Sequence, residues 1–424
     1  MRSKLIAVTA MVALLTIACS SSKPDSATSS GSTASSGGTT EPTTRTTTGV
    51  TDTEIKVSAL GYKASYGEAL VGAQARFKRE NDAGGVNGRK IVLTDFNDDN
   101  QTPATDTQAA TKIVEQDKAF AVVPVMTATF PAADYLQQAG VPFVGWGIVP
   151  DWCNKTAGFS LNGCTDPALH TQVDDFGPAY GKMFDDGTVK GKTVALMAAD
   201  SDSARSALDG FSKIWKYNGA TVVLQDNSIP QAPVVVSDYT PFAQKIMATN
   251  GGKGPDVVEM IAETITGAGL SKQLRDMGYA GKIVNFSLYD PRIASIANDI
   301  YNQITFAAWE QSDVPAVAQM IKDVDAVDPS ATKGLAMAAG YWSADLFIDI
   351  LKKTGQDLTR ERFIAAGNDD FHYDGKGGTT DLAFPMNHVE DSASISLVYG
   401  NGSGYAVVVP FTPLPRVAKE KVDG

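Results

Sequence analysis

From Thr53 onward, short apolar runs alternate with longer amphipathic ones, and this rhythm constrains the fold more than any other feature. "TEIKVSAL" reads as a strand, "YGEALVGAQARFKREN" places Leu70, Ala73 and Phe77 on one helical face, and "RKIVLTDF" returns to a strand. "ATDTQAATKIVEQD" is helical through Ala110, Ile113 and Val114, and "AFAVVPV", "TFPAADYLQQAG" and "VPFVGW" follow as strand, helix and strand. Strands alternating with helices of this length predict an α/β chain whose mostly parallel sheet is covered on both faces.

The rhythm restarts at "KTVALMAA", with a helix in "SARSALDGFSKIWKYNG", a strand in "ATVVLQD" and a helix in "YTPFAQKIMATNGG". "PDVVEMIA", "GAGLSKQLRDMG", "KIVNFS", "PRIASIAND" and "QITFAAW" extend it, so two α/β units are expected. The later helices "VPAVAQMIKDVDAV" and "GLAMAAGYWSADLFIDILKKTG" lack strands for a third unit and are assigned as cover for the first. "ASISLVYGNGSGYAVVVPF" reads as a hairpin on the second. The expected division is 53–174 with 309–381 for the first lobe, 175–308 with 382–412 for the second, and a tail at 413–424.

One stretch tempts toward ligand chemistry: "NDAGGVNGRKIVLTDFNDD". A phosphate cradle needs its glycines between a strand and a helix, whereas these lie between a helix and a strand. Gly84 and Gly85 suit a helix terminus, and Asn87-Gly88 a tight turn. Asp95, Asn97 and Asp99 alternate like the start of a calcium loop, but Asn100 stands where glycine is needed and Asp106 where glutamate is, with Pro103 between them. The better account is a solvated strand end leading into a helix, with Thr105 or Asp106 in its first turn.

The N-terminus has the form of a secretion signal over residues 1–18, with "MRSK" as its basic start and "LIAVTAMVALLTIA" as its apolar run. The segment "LTIAC" resembles the lipid-attachment site of bacterial lipoproteins, which implies lipidation at Cys19; simple cleavage is the alternative. Residues 20–49 are mostly Ser, Thr and Gly, with almost nothing that could pack, and cannot offset their ordering entropy by burial, so residues 19–52 are expected to act as a flexible tether. This places the folded body outside the cell membrane. Cys153 and Cys164 can then form one disulfide, the alternative being two buried thiols.

A net charge of −12 and the absence of basic clusters interleaved with aromatics exclude nucleic acid as the expected partner. The three histidines, His170, His372 and His388, have no near-spaced acid or cysteine partner, and no nucleophile elbow or His-Glu-x-x-His pair is present. Adjacent carboxylates such as Asp174-Asp175 and Asp369-Asp370 point in different directions. Neither enzyme activity, nor a metal, nor a cofactor is expected.

The order of elements resembles the type I solute-binding proteins, in particular the branched-chain amino acid binding family that serves ABC importers. The residues from "GEALVGAQARFKREN" to "KIVEQD" carry the likeness, with "PFVGW" and "GKTVALMA" beyond. The resemblance implies two doubly wound parallel-sheet lobes joined by a three-segment hinge and closing on one small molecule. It also implies an extracytoplasmic location, ABC permease subunits as partners, and a monomeric folded body.

Ligands of open α/β sheets sit beyond the C-terminal strand ends. By resemblance, Thr127, Ala128 and Thr129 match the loop that holds a ligand carboxylate. Trp146 stands in a second such loop where small hydroxylated residues are usual. The acid that pairs with a ligand ammonium is replaced by Ser287 and Leu288, leaving Glu263 or Asp290 as substitutes. An unpaired ammonium in a closed cleft is costly, which favours a ligand with an apolar or aromatic body and a carboxylate over an amino acid. Tyr62, Tyr66, Phe130, Trp146, Trp152 and Tyr289 form an aromatic mouth on paper, Asp202 lies in a second-lobe loop, and Arg205 or Lys63 are available to the ligand's acid group. The expected function is solute capture for an ABC importer. The alternatives are a ligand sensor that signals to a membrane receptor and an enzyme with a dispersed site.

Overall fold

The computed structural model describes residues 47–293, 299–385, 388 and 393–423. The secretion signal, Cys19 and nearly all of the tether lie outside these residues, as do 294–298 within the expected short helix.

Strands β1 (Glu54–Gly61), β2 (Lys90–Asp98), β3 (Ala121–Met126), β4 (Phe143–Gly145) and β5 (Gly158–Ser160) form a parallel sheet in the order β2-β1-β3-β4-β5. After β6 (Gln172–Asp174), the chain builds β7 (Thr193–Ala199), β8 (Thr221–Ile229), β9 (Val257–Ile261), β10 (Lys282–Asn285) and β11 (Ile300–Ile304). These are parallel to one another. A small ladder of β12 (His372–Tyr373) and β13 (Leu382–Ala383) precedes the hairpin β14 (Ser394–Gly400) and β15 (Tyr405–Pro413), and β16 (Arg416–Ala418) comes last. The second sheet runs β15-β14-β11-β10-β9-β7-β8, with β14 antiparallel to β11.

The period of two along each strand explains why both sheets are covered on both faces. In β1, Val57 and Ala59 join one apolar cluster while Leu60 joins another; in β7, Val194, Leu196 and Ala198 face one way, and Ala195 and Met197 the other. Four clusters therefore correspond to four sheet faces, the arrangement that near-continuous apolar strands require.

Helix Leu335–Thr354 covers the first sheet beside helix Ala69–Asp82. Two glycines set how closely they cross. A Cβ built on Gly72 would lie 1.9 Å from the Met337 carbonyl oxygen, and one on Gly340 would lie 2.0 Å from that of Ala69. At the other end of the contact, the backbone N–H of Leu335 donates to the carbonyl of Tyr289, 2.8 Å away, in the loop after β10.

The chain passes between the sheets near 172–176, again at 305–309, and again between 384 and 394. The strand expected at 303–309 lies instead at 300–304: Phe306 bridges to Thr379 and Ala307 donates to Gly378, so these residues serve the crossing. The segment read as a tail is also structured. β16 pairs antiparallel with β6, and helix Lys419–Asp423 follows, with Asp423 2.9 Å from Lys213.

The glycine-rich stretch ends helix Ala69–Asp82 with Gly84 and Gly85 at φ +107° and +75°. Asn87 and Gly88, at φ +51° and +81°, make the two-residue turn closed by reciprocal Val86 and Arg89 backbone bonds. Its acids do not converge. Asp95 faces Lys112, the Asn97 amide donates to Ser58, and Asp99 accepts from the Gln101 N–H. Thr102 caps helix Pro103–Thr111, and Asp106, in its first turn, reaches across to accept from the N–H of Ala132 at 2.8 Å.

Candidate functional site

The C-terminal ends of the parallel strands meet around a cavity of about 430 Å³. It is lined by Tyr66 after β1, Gln101 after β2, Ala128 after β3, Trp146 after β4, and Leu161 and Asn162 after β5. The second sheet contributes Ser201 after β7, Gln231 after β8, Glu263 after β9, and Phe286 and Ser287 after β10. In each sheet the strand order reverses beside these loops, between β1 and β3 and between β7 and β9, where crevices form in open sheets.

Of the residues singled out in the sequence, Tyr66, Ala128, Trp146 and Glu263 line this cavity. Trp146 is 5% exposed; its indole N–H donates to Thr305 Oγ1 at 3.2 Å, and its ring meets Tyr66 edge-on at 6.0 Å. Burial pushes the Tyr66 hydroxyl far above its ordinary range, with Glu263 and Asp99 adding to the effect, so it is a neutral donor. Glu263 caps helix Thr264–Asp276, accepting from the N–H groups of Ile265 and Thr266 at 2.7 and 2.8 Å. The oxygen that accepts from Ile265, Oε2, also accepts from the Ser65 hydroxyl at 3.0 Å.

The aromatic mouth is smaller than the sequence suggested. Phe130 and Trp152 pack with Phe143 at 5.2–5.4 Å in the core of the first sheet. Tyr289 is fully buried, donates to Glu310 at 2.6 Å and packs against Tyr405. Tyr62 is 8% exposed and joins the core of the first sheet rather than the cavity wall. Large rings near strand ends are attractive on paper, yet the apolar layers beneath a parallel sheet need them more.

Thr127 and Thr129 turn inward on themselves. The Thr129 N–H donates to the Thr127 hydroxyl at 3.0 Å, and the Thr129 hydroxyl accepts from Gln231 at 3.1 Å. Asp202 opens helix Asp202–Tyr217, but its side chain lies outside the described residues. Asp290 is held by Arg292, 2.5 Å away, and Arg205 by Asp200; neither acid-group partner proposed for the ligand, Arg205 or Lys63, lines the cavity. Among the described residues no group of three metal-ligating side chains is assembled. Cys153 and Cys164 form a disulfide.

The sheets are bridged above the cavity. Besides Ser65 with Glu263 and Gln231 with Thr129, Arg292 pairs with Glu68 at 3.2 Å.

Several wall residues carry no motif that would reveal them. Gln101 is 4% exposed, takes a left-handed φ of +48°, and its Nε2 has no partner. Gln303 is 8% exposed with Oε1 unpartnered. Phe176, Phe211, Leu414 and Val422 come from the first crossing, a helix face and the supposed tail. The one signal for Gln101 is the run "NDDNQT", whose crowding of turn-forming residues permits the left-handed backbone it needs.

The profile of the periplasmic binding proteins, type I, matches residues 58–395. The chain belongs to this family. Members are extracytoplasmic binding proteins, and among the described residues no helix of this one is long and apolar enough to cross a membrane. The chain is similar to an amino acid binding protein of Pseudomonas aeruginosa, 39% identical over 84 residues, which are 19% of this chain and 22% of that protein. It therefore aligns with about a fifth of that relative's length. Among solved structures it resembles a fatty acid ABC transporter substrate-binding protein from Thermomonospora curvata, with TM-score 0.68 and 18% identity over 90% of this chain and 96% of that one. A branched-chain amino acid transporter substrate binding protein from Streptococcus pneumoniae, in complex with isoleucine, gives 0.65 and 18% over 85% and 99%. A solute binding protein from R. palustris, in complex with benzoate, gives 0.66 and 16% over 85% and 97%.

Proposed function

We propose that this periplasmic binding protein captures an organic carboxylate with a substantial apolar body and delivers it to an ABC importer, without bond chemistry of its own. Lipid on Cys19 anchors it outside the membrane, and the folded body works as a monomer. The observation that carries this reading is the cavity at the converging strand ends, whose wall includes Tyr66, Trp146, Phe211 and Phe286 and is more apolar than polar. Sites of this kind take apolar ligands and orient them with a small number of polar contacts. The similar fatty acid transporter substrate-binding protein, and the binding proteins in complex with isoleucine and with benzoate, support a small organic solute.

The state of the acids favours a ligand without an ammonium group. Asp290 is committed to Arg292, and Glu263 already accepts three hydrogen bonds, two of them from a helix N-terminus that favours its charge. An α-ammonium would have to compete with that network. Calorimetry with isoleucine, benzoate and octanoate on protein freed of co-purified compounds tests the proposal, with native mass spectrometry of the untreated protein beside it. Benzoate or octanoate is expected to bind at least tenfold more tightly than isoleucine. The reverse order would refute the argument about the acids.

A further inference from the structure

We infer that the cavity is a groove for an extended aliphatic carboxylate, its polar end in the cleft and its tail lying along helix Asp202–Tyr217. This rests on the capture reading above and narrows its ligand to one class.

The length of the cavity points to this. Its wall follows one helix from Ser201, the N-cap, to Ile214, and thirteen residues at a helical rise of 1.5 Å make about 20 Å. Isoleucine or benzoate would occupy a fraction of that distance. A fully extended backbone covers about 1.2 Å per bond, so about 20 Å corresponds to roughly sixteen chain bonds.

The distribution of chemistry gives the direction. At the cleft end, Gln101 and Gln303 are both more than nine-tenths buried, and each carries an amide atom without a partner. A buried N–H left unpaired is costly, and a ligand carboxylate, which only accepts, relieves that of the Gln101 amide; the Gln303 Oε1, itself an acceptor, faces the same end and takes a bridging water or hydroxyl rather than the carboxylate. Gln101 is held there by a left-handed backbone that a side-chain-bearing residue adopts only under constraint. Farther along, Ala207 and Gly210 leave the helix face low, and a Cβ built on Gly210 meets nothing within 4 Å. Phe211, Phe286 and Leu414 supply apolar wall there, as a tail requires. At the outer end, Lys213 is already balanced by Asp209 and Asp423, both at 2.9 Å.

The test is a chain-length series, octanoate, dodecanoate and hexadecanoate, measured by calorimetry on the delipidated protein and on Gly210→Leu, with benzoate as the short control. Leucine is a better helix former than glycine, so the variant keeps its helix while its side chain enters the empty space. In the unaltered protein, affinity should rise severalfold for every two methylenes, up to about fourfold per methylene, as far as roughly sixteen carbons. Gly210→Leu should weaken hexadecanoate at least tenfold and leave benzoate within twofold. Benzoate binding combined with no dependence on chain length in the unaltered protein would overturn the groove while leaving the capture reading intact. Failure of every carboxylate to bind would overturn both.

Discussion

Glu259, at the centre of the second sheet, makes the stability of this protein depend on pH in a way that one substitution isolates. It has no exposed surface; Tyr180 Oη donates to one of its oxygens at 2.9 Å and Trp215 Nε1 to the other at 2.5 Å. Burial raises its pKa from 4.5 to about 7, against the pull of those two donors. A change of this size between unfolded and folded chains corresponds to about 3 kcal/mol. Because the folded pKa is the higher, the folded state holds more protons between pH 4.5 and 7. The contribution is therefore full below about pH 4.5, declines as pH rises through 7, and is constant above. Glu259→Gln keeps the shape and an acceptor oxygen but cannot ionise. Urea unfolding followed by tryptophan fluorescence, at steps from pH 4 to 9, gives both stabilities. Their difference should move by about 3 kcal/mol against the parent protein across that window. Taking the difference cancels His388, whose burial lowers its pKa to about 4 and which loses stability in the opposite direction, as pH falls from 6.5. A difference that is the same at every pH would refute the reasoning.

Gly72→Ala and Gly340→Ala each push a Cβ into opposing backbone and should cost about 1–3 kcal/mol or more; urea midpoints unchanged by both would show that the helices can separate freely. Replacing Cys153 and Cys164 together by serine should cost about 2–3 kcal/mol from loop closure, read as a fall in the urea midpoint that reducing agent reproduces in the parent protein. Phe130→Ala should lower stability by about 3–5 kcal/mol with little effect on solute affinity, while Trp146→Ala should alter affinity and solute range. A parent-like solute range in the Trp146 variant would show that the indole is core rather than wall.

The sheets were readable in the sequence because parallel strands buried on both faces leave near-continuous apolar runs such as "AFAVVPV", and because glycines and turn pairs punctuate them. The short strands β5, β6 and β16 were not, since three residues carry too little pattern and their pairing is set by distant partners, as Arg416 with Asp174. The cavity was readable in the same measure. Strand-end loops were found by the rule that ligands gather there, which brought in Tyr66, Ala128, Trp146 and Glu263. Which aromatic ring turns inward depends on packing: Phe130 and Trp152 have the same local appearance as Trp146 and complete a core with Phe143 instead. Gln101 and Gln303 stand out only through what they lack, a partner for one buried atom, and sequence carries no record of that.

Helix Leu335–Thr354 is a rod about 30 Å long, seated against its neighbour by backbone-to-backbone contact at Gly72 and Gly340 and touching the loop after β10 at its first residue. Such a rod has little freedom to bend, and with nearly every residue from Leu335 to Leu351 buried it has none to swing, so it holds the loop after β10 at a fixed place against the first sheet. A spectroscopic label on the exposed Lys353, at its far end, would therefore report the seating of this helix from a position well outside the cleft, without disturbing the wall.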